Sequence, residues 1–177
     1  ITKSYAAEER EYTLALVERG SRFSFFIMFI FALPIFLEAD FVLAIWLKQY
    51  PEHTVNFVRL ILVLSLCDII SNTLITLQSA TGKIRNYQLA VGLILLMNFP
   101  LSYICLKLGC SPESTLIVAV FVSICCLILR LLFLRKMAGL SMRRFVKNVC
   151  VRIMIVVVIS SIIPFIIHAS MDYGWLR

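Results

Sequence analysis

The sequence predicts an all-α integral membrane protein with about five transmembrane helices, and three observations predict it. Apolar residues make up 61% of the 177-residue chain, against about 45–50% in soluble domains, and the mean hydropathy is +0.95. These residues gather into runs of a length suited to a hydrocarbon core about 30 Å thick. Most of the cations fall between the runs rather than inside them. A soluble fold of this length cannot cover so much apolar surface, whereas lipid solvates it.

Residues 1–22 are polar and carry both charges, with Tyr5, Tyr12, Leu16 and Val17 at helical spacing. They predict a helix end and a connecting segment lying at the membrane surface. The first span is expected over 23–37, containing Pro34 and stopped by Glu38-Ala39-Asp40. Residues 41–47 are apolar but too short to cross, and they end near Trp46, so an interfacial helix is expected there. The second span, 54–80, is long enough to cross even when tilted. Residues 81–86 form a turn, and a third span runs over 87–108 with Asn98 and Pro100 near its middle. The tight turn Gly109-Cys110-Ser111-Pro112-Glu113 leads to a fourth span, 114–134. A basic amphipathic link over 135–148 precedes the fifth span, 149–168, which contains Pro164, and residues 169–177 form the end beyond it. The chain opens on Ile1-Thr2 and stops at Arg177 without a terminating feature. It is therefore expected to be an interior piece of a longer polypeptide.

Charge sets the expected orientation. Thirteen lysines and arginines lie on one side of the spans (four in 1–22, Lys83, Arg85, and seven from Arg130 to Arg152), whereas Lys48, Lys107 and Arg177 lie on the other. Short loops rich in Lys and Arg stay in the cytoplasm, so the start is expected to be cytoplasmic and the end periplasmic. The net charge of +7 belongs to this pattern. Nucleic-acid binding needs a solvated basic face, and none is evident, so no nucleic-acid partner is expected.

Chemistry in such a chain is sought where polar groups lie at bilayer depth, because an ionisable group there needs a partner or a water-filled path. Asp68 lies near the middle of the second span. At about 100° per residue, Thr54, Ser65, Asp68, Asn72, Thr76 and Ser79 fall within an arc of about 80°. This polar stripe lines an aqueous cavity, or else it bonds its own helix and ties neighbouring helices together. Arg59 is about 180° round the same helix from Asp68, too far round to pair with it. It either snorkels to the near interface or faces an anionic substrate. Pro100 frees the carbonyl of Leu96 and is expected to kink the third span, with Asn98 beside the break; Pro34 and Pro164 are further hinge candidates.

No P-loop, HExxH or GxSxG motif occurs, and no catalytic residue, metal ligand or cofactor is expected. The six cysteines form no CxxC pair. Most sit in apolar runs, where cysteine behaves as a small hydrophobe; a Cys105–Cys110 bridge is the minority alternative.

Several phrases together carry a resemblance. Leu33-Pro34-Ile35-Phe36-Leu37-Glu38, Ile45-Trp46-Leu47 and Pro51-Glu52-His53-Thr54 precede Phe57-Val58-Arg59-Leu60, and Leu77-Gln78-Ser79-Ala80-Thr81-Gly82-Lys83-Ile84-Arg85-Asn86-Tyr87-Gln88 follows. The chain resembles the bacterial O-antigen and capsular polysaccharide flippases of the multidrug/oligosaccharidyl-lipid/polysaccharide exporter superfamily. The likeness is specific over the first 110 residues or so and hydropathic beyond. It implies the C-terminal half of a transporter with roughly fourteen helices, placed in the inner membrane, of which these would be numbers nine to thirteen. The implied partners are an undecaprenyl-pyrophosphate-linked oligosaccharide, membrane lipids and the missing N-terminal half. The implied activity is outward flipping by alternating access, with a proton or sodium ion as the candidate coupling ion. A cation-coupled drug or metabolite exporter of the same fold, a membrane glycosyltransferase or polymerase, and a membrane scaffold are the competing classes. No family motif assigns site residues, so Ser65, Asp68, Asn72, Thr76, Arg59 and Asn98 are candidates on polarity alone.

Overall fold

The computed structural model describes residues 1–47, 49–82 and 84–170, and all regular elements among them are helical. In lipid a backbone must satisfy its own polar groups, and a helix does so within one segment. The elements are α1 (Thr2–Ala6), α2 (Arg10–Leu37), α3 (Ala39–Leu47), α4 (Thr54–Ala80), α5 (Arg85–Leu96), α6 (Asn98–Lys107), α7 (Ser114–Ala138), α8 (Met142–Phe145), a π-helical segment (Val146–Val151) and α9 (Arg152–Ser170). Five stretches are long and apolar enough to cross a membrane. The chain is a multi-pass membrane protein.

Element boundaries differ from the sequence expectation in an informative way. The first spanning helix starts at Arg10 rather than at residue 23, so much of the polar stretch 1–22 belongs to the spanning rod. At about 1.5 Å per residue its 28 residues reach about 42 Å, which removes the shortness of the apolar run. The expected link over 135–148 is also mostly helix: α7 continues to Ala138, and α8 leads through the π segment into α9. Part of the polar content of the two segments meets across the bundle: Glu11 and Glu18 of α2 reach Arg144 and Asn148, and Arg22 reaches the Asn148 carbonyl. The interfacial helix begins at Ala39, with Ala39 and Leu43 buried beside Val55 of α4. Lys48, Lys83 and, of the end expected over 169–177, residues 171–177 lie outside the described residues.

Turns follow from local chemistry. Gly139 ends α7 in the left-handed region at φ 72°, which L-residues with a Cβ rarely adopt. The Leu140 amide then reaches back to the Leu134 carbonyl, as in a Schellman ending. The third span is interrupted at Met97, whose amide is shared between the carbonyls of Leu93 and Ile94 at 3.2 and 3.1 Å. Pro100 is thereby the third residue of a new helix, where a missing N–H leaves no intrahelical bond unmade. Pro34 and Pro164 sit inside α2 and α9.

α4 packs most extensively against α2 on one side and α7 on the other; α5 and α6 lie on α7, and α9 lies on α2. The tightest core sits at one end of the bundle, where Val17, Leu74, Leu77, Leu134, Phe145 and Val149 are fully buried. This is the end that carries most of the cations. Small residues let α2 and α4 approach there: a Cβ placed on Gly20 would lie 3.2 Å from Thr73 Cγ2, and the Ser21 and Thr73 hydroxyls bond each other. Close approach of small residues is a main source of helix association where lipid supplies no hydrophobic drive.

Candidate functional site

α4 turns one face to its neighbours and leaves the other uncovered. Ser71, Leu74, Leu77 and Gln78 are buried, whereas Asp68, Asn72, Thr76 and Ser79 are exposed and Ser65 is half-buried. The helical period places these two sets on opposite sides of the rod. The predicted stripe is therefore a continuous surface feature of the bundle at membrane depth. Its members divide by bonding. Thr76 and Ser79 donate to the carbonyls of Asn72 and Ile75, one turn back, at 3.1 and 3.0 Å. Such back-bonds satisfy a hydroxyl locally and draw no neighbour in. Asp68 accepts from the Ser123 hydroxyl of α7, so its carboxylate is tied to the next helix while remaining exposed.

Arg59 has a partner that helical spacing within α4 does not disclose. Its Nη2 lies 3.2 Å from Asp40 Oδ2, its Nε donates to the Phe36 carbonyl at 3.1 Å, and the guanidinium stands 6.0 Å from the Phe36 ring centre. Arg59 thus ties the end of α2 and the start of α3 to α4. Asn98 does not join Asp68; the structure records its side chain accepting from Ser102 Oγ at 3.4 Å within α6. Arg130, one of the basic-side cations, donates from Nε to the Tyr87 hydroxyl at 2.9 Å. All six cysteines are free.

Two further polar clusters carry much of the bundle's specificity and were not singled out from the sequence. At the basic end, the nearly buried Glu18 of α2 accepts from Asn148 Nδ2 at 2.8 Å and pairs with Arg144 Nε at 3.0 Å. Arg144 also reaches Glu11 at 3.1 Å. Arg22 donates to the Asn148 carbonyl at 2.9 Å. That carbonyl lies in the π segment, where the shifted ladder leaves backbone oxygens available to side chains. A signal was present. Glu11 and Glu18 are seven residues apart, Arg144 and Asn148 four apart, and each pair occupies one helix face.

At the far end, Glu113 at the start of α7 bonds to the start of α4. His53 Nδ1 lies 2.9 Å and Asn56 Nδ2 3.0 Å from the same Glu113 oxygen. Hydrogen bonds from Ser111, then Asn56, then His53 and its own amide hold the Glu113 carboxyl down to about 2, against an ordinary 4.5. A depressed folded-state pKa means that the contact stabilises above the ordinary value and is lost as pH falls from 4.5 towards about 2. Wild type is therefore expected to lose thermal stability in detergent between pH 5 and pH 3 more steeply than Glu113→Gln. Parallel curves for the two proteins would remove Glu113 from the pH response.

Comparison with protein-family models, curated proteins and solved structures found no match to this chain.

Proposed function

We propose that the chain forms part of a transporter that moves lipid-linked oligosaccharide repeat units across the inner membrane by alternating access. The observation that carries this is the uncovered polar face of α4, with a carboxylate at bilayer depth. An ionised group cannot face hydrocarbon cheaply. A face of this kind suits one wall of a water-filled path, closed on its other side by further helices. Such a path lets a polar headgroup cross while its lipid tail stays in the bilayer. The resemblance to polysaccharide flippases supplies the substrate class, and the start of the chain is placed in the cytoplasm.

Deletion of the gene in its native host tests the reading. Surface polysaccharide is expected to fall, with lipid-linked repeat units accumulating on the cytoplasmic leaflet. Normal surface polysaccharide together with raised drug sensitivity would replace the flippase by a cation-coupled exporter. Orientation is tested separately, by single-cysteine labelling in a cysteine-free background. A cysteine at Glu113 is expected to react with impermeant reagent in intact cells, and one at Ser141 only after lysis. The opposite pattern would invert the topology.

A second reading rests on the Ser123–Asp68 bond. In it the stripe is interhelical adhesion, and the chain is a scaffold without a path.

A further inference from the structure

The turn between α7 and α8 borders an open, shallow cavity of about 850 Å³ that the transport reading does not use. Arg135 stands on one wall, and Arg143 and Lys147 stand on the other; Ser141, Val146 and Val151 are among the remaining lining residues. The reversal at Gly139 (φ 72°) places both walls on the same turn. No Asp or Glu lines the cavity. Among the described residues Arg135, Arg143 and Lys147 make no ion pair, while the nearby acids Glu11 and Glu18 are engaged by Arg144. Three cations lining one cavity without a lining counter-charge suit an anion.

The cavity continues into an apolar track. Val151 at the end of the π segment and Ile155, Val158 and Ile162 of α9 follow one another at helical spacing, each about half exposed at 46, 52, 56 and 50%. An anion that presents a phosphate at the bundle end and hydrocarbon along the adjacent spanning helix fits both features at once. We propose that this cavity binds the phosphodiester headgroup of an anionic glycerophospholipid of the surrounding bilayer, with its acyl chains lying along α9. A soluble phosphate would use the cations but not the track. A zwitterionic lipid would use the track but bring its own cation into a cationic cavity. The proposal is independent of the transport reading.

The test uses the intact protein in a neutral detergent, with phosphatidylglycerol, phosphatidylcholine and glycerol 3-phosphate as probes. Native mass spectrometry is expected to detect retained phosphatidylglycerol, much weaker phosphatidylcholine and no retained glycerol 3-phosphate. Because each surface cation contributes about 1 kcal/mol to anionic-lipid binding, Arg135→Gln/Arg143→Gln/Lys147→Gln should weaken phosphatidylglycerol binding by about a hundredfold. Arg10→Gln/Arg19→Gln, which removes two exposed cations near the same end, should change it little. Equal loss in both variants would mean diffuse attraction to the basic end and would overturn the site. Equal binding of the two lipids, or retention of glycerol 3-phosphate, would overturn the lipid assignment. Should the triple variant fail to fold, a phosphatidylglycerol photoprobe on the wild-type protein decides: crosslinks within 135–162 support the site, and crosslinks confined elsewhere refute it.

Discussion

Asp68→Asn in the intact protein is expected to leave membrane insertion near normal and to lower polysaccharide export per inserted copy by about tenfold or more. That factor corresponds to losing one hydrogen-bonded charge, about 1.5–3 kcal/mol, from the transport cycle. Asn keeps the size of Asp and can still accept from the Ser123 hydroxyl, so the substitution isolates the charge. Asp68→Leu also removes the tie to α7 and is expected to lower both export and the amount of folded protein. If the carboxylate serves only adhesion, Asn should replace it well, since polar contacts between membrane helices average about 0.6 kcal/mol. The measurement is surface polysaccharide normalised to inserted protein in a strain lacking other flippases. Full export by Asp68→Asn at equal protein level would favour the adhesion reading. A changed response to collapse of the proton or sodium gradient would connect the charge to coupling.

Glu18→Ala is expected to be the most destabilising single change within the polar network at the basic end, by about 2 kcal/mol, because it removes a buried carboxylate that two partners use. The Asn148 amide loses its acceptor, and Arg144 keeps only the exposed Glu11. The value lies below that of a fully buried pair because Arg144 is 42% exposed and solvent screens it. Glu18→Gln can accept one hydrogen bond and should recover part of the loss. A double-mutant cycle pairing Glu18→Ala with Asn148→Ala in detergent unfolding should show coupling above 0.5 kcal/mol, as for other contacting residues. Strict additivity would mean that the two side chains do not support each other. Glu11→Ala, by contrast, should be nearly silent, since Glu11 is 84% exposed.

The two clusters fasten opposite ends of the bundle. Polar groups at bilayer ends are expensive to bury singly, yet Glu18, Arg144, Asn148 and Arg22 meet in one network that joins α2 to the π segment. Fully satisfied networks specify one arrangement of helices. At the far end, Arg59–Asp40 and His53–Glu113 pin α3 and α7 to α4. The α4 stripe lies between these fastenings, uncovered along its middle and its basic-end half.

The fold class and the five spans were determined by the sequence alone. Hydropathy is a one-dimensional property, and lipid imposes a single backbone solution, the helix, on any apolar run of sufficient length. The α4 stripe was likewise legible, because helical periodicity assigns faces without knowledge of neighbours. What covers a face is a different quantity. Only the tertiary structure decided that Ser123 of α7 meets Asp68, that Asp40 meets Arg59, and that the stripe is left open. The start of α2 at Arg10 belongs to the same class. Residues 10–22 carry helical spacing, but their charges show no partners in the local sequence; those partners, Arg144 and Asn148, more than a hundred residues away in the chain, receive Glu11 and Glu18. Local sequence sets the cost of placing a charge near the membrane. The partner that offsets this cost lies across the bundle, where no periodicity reaches.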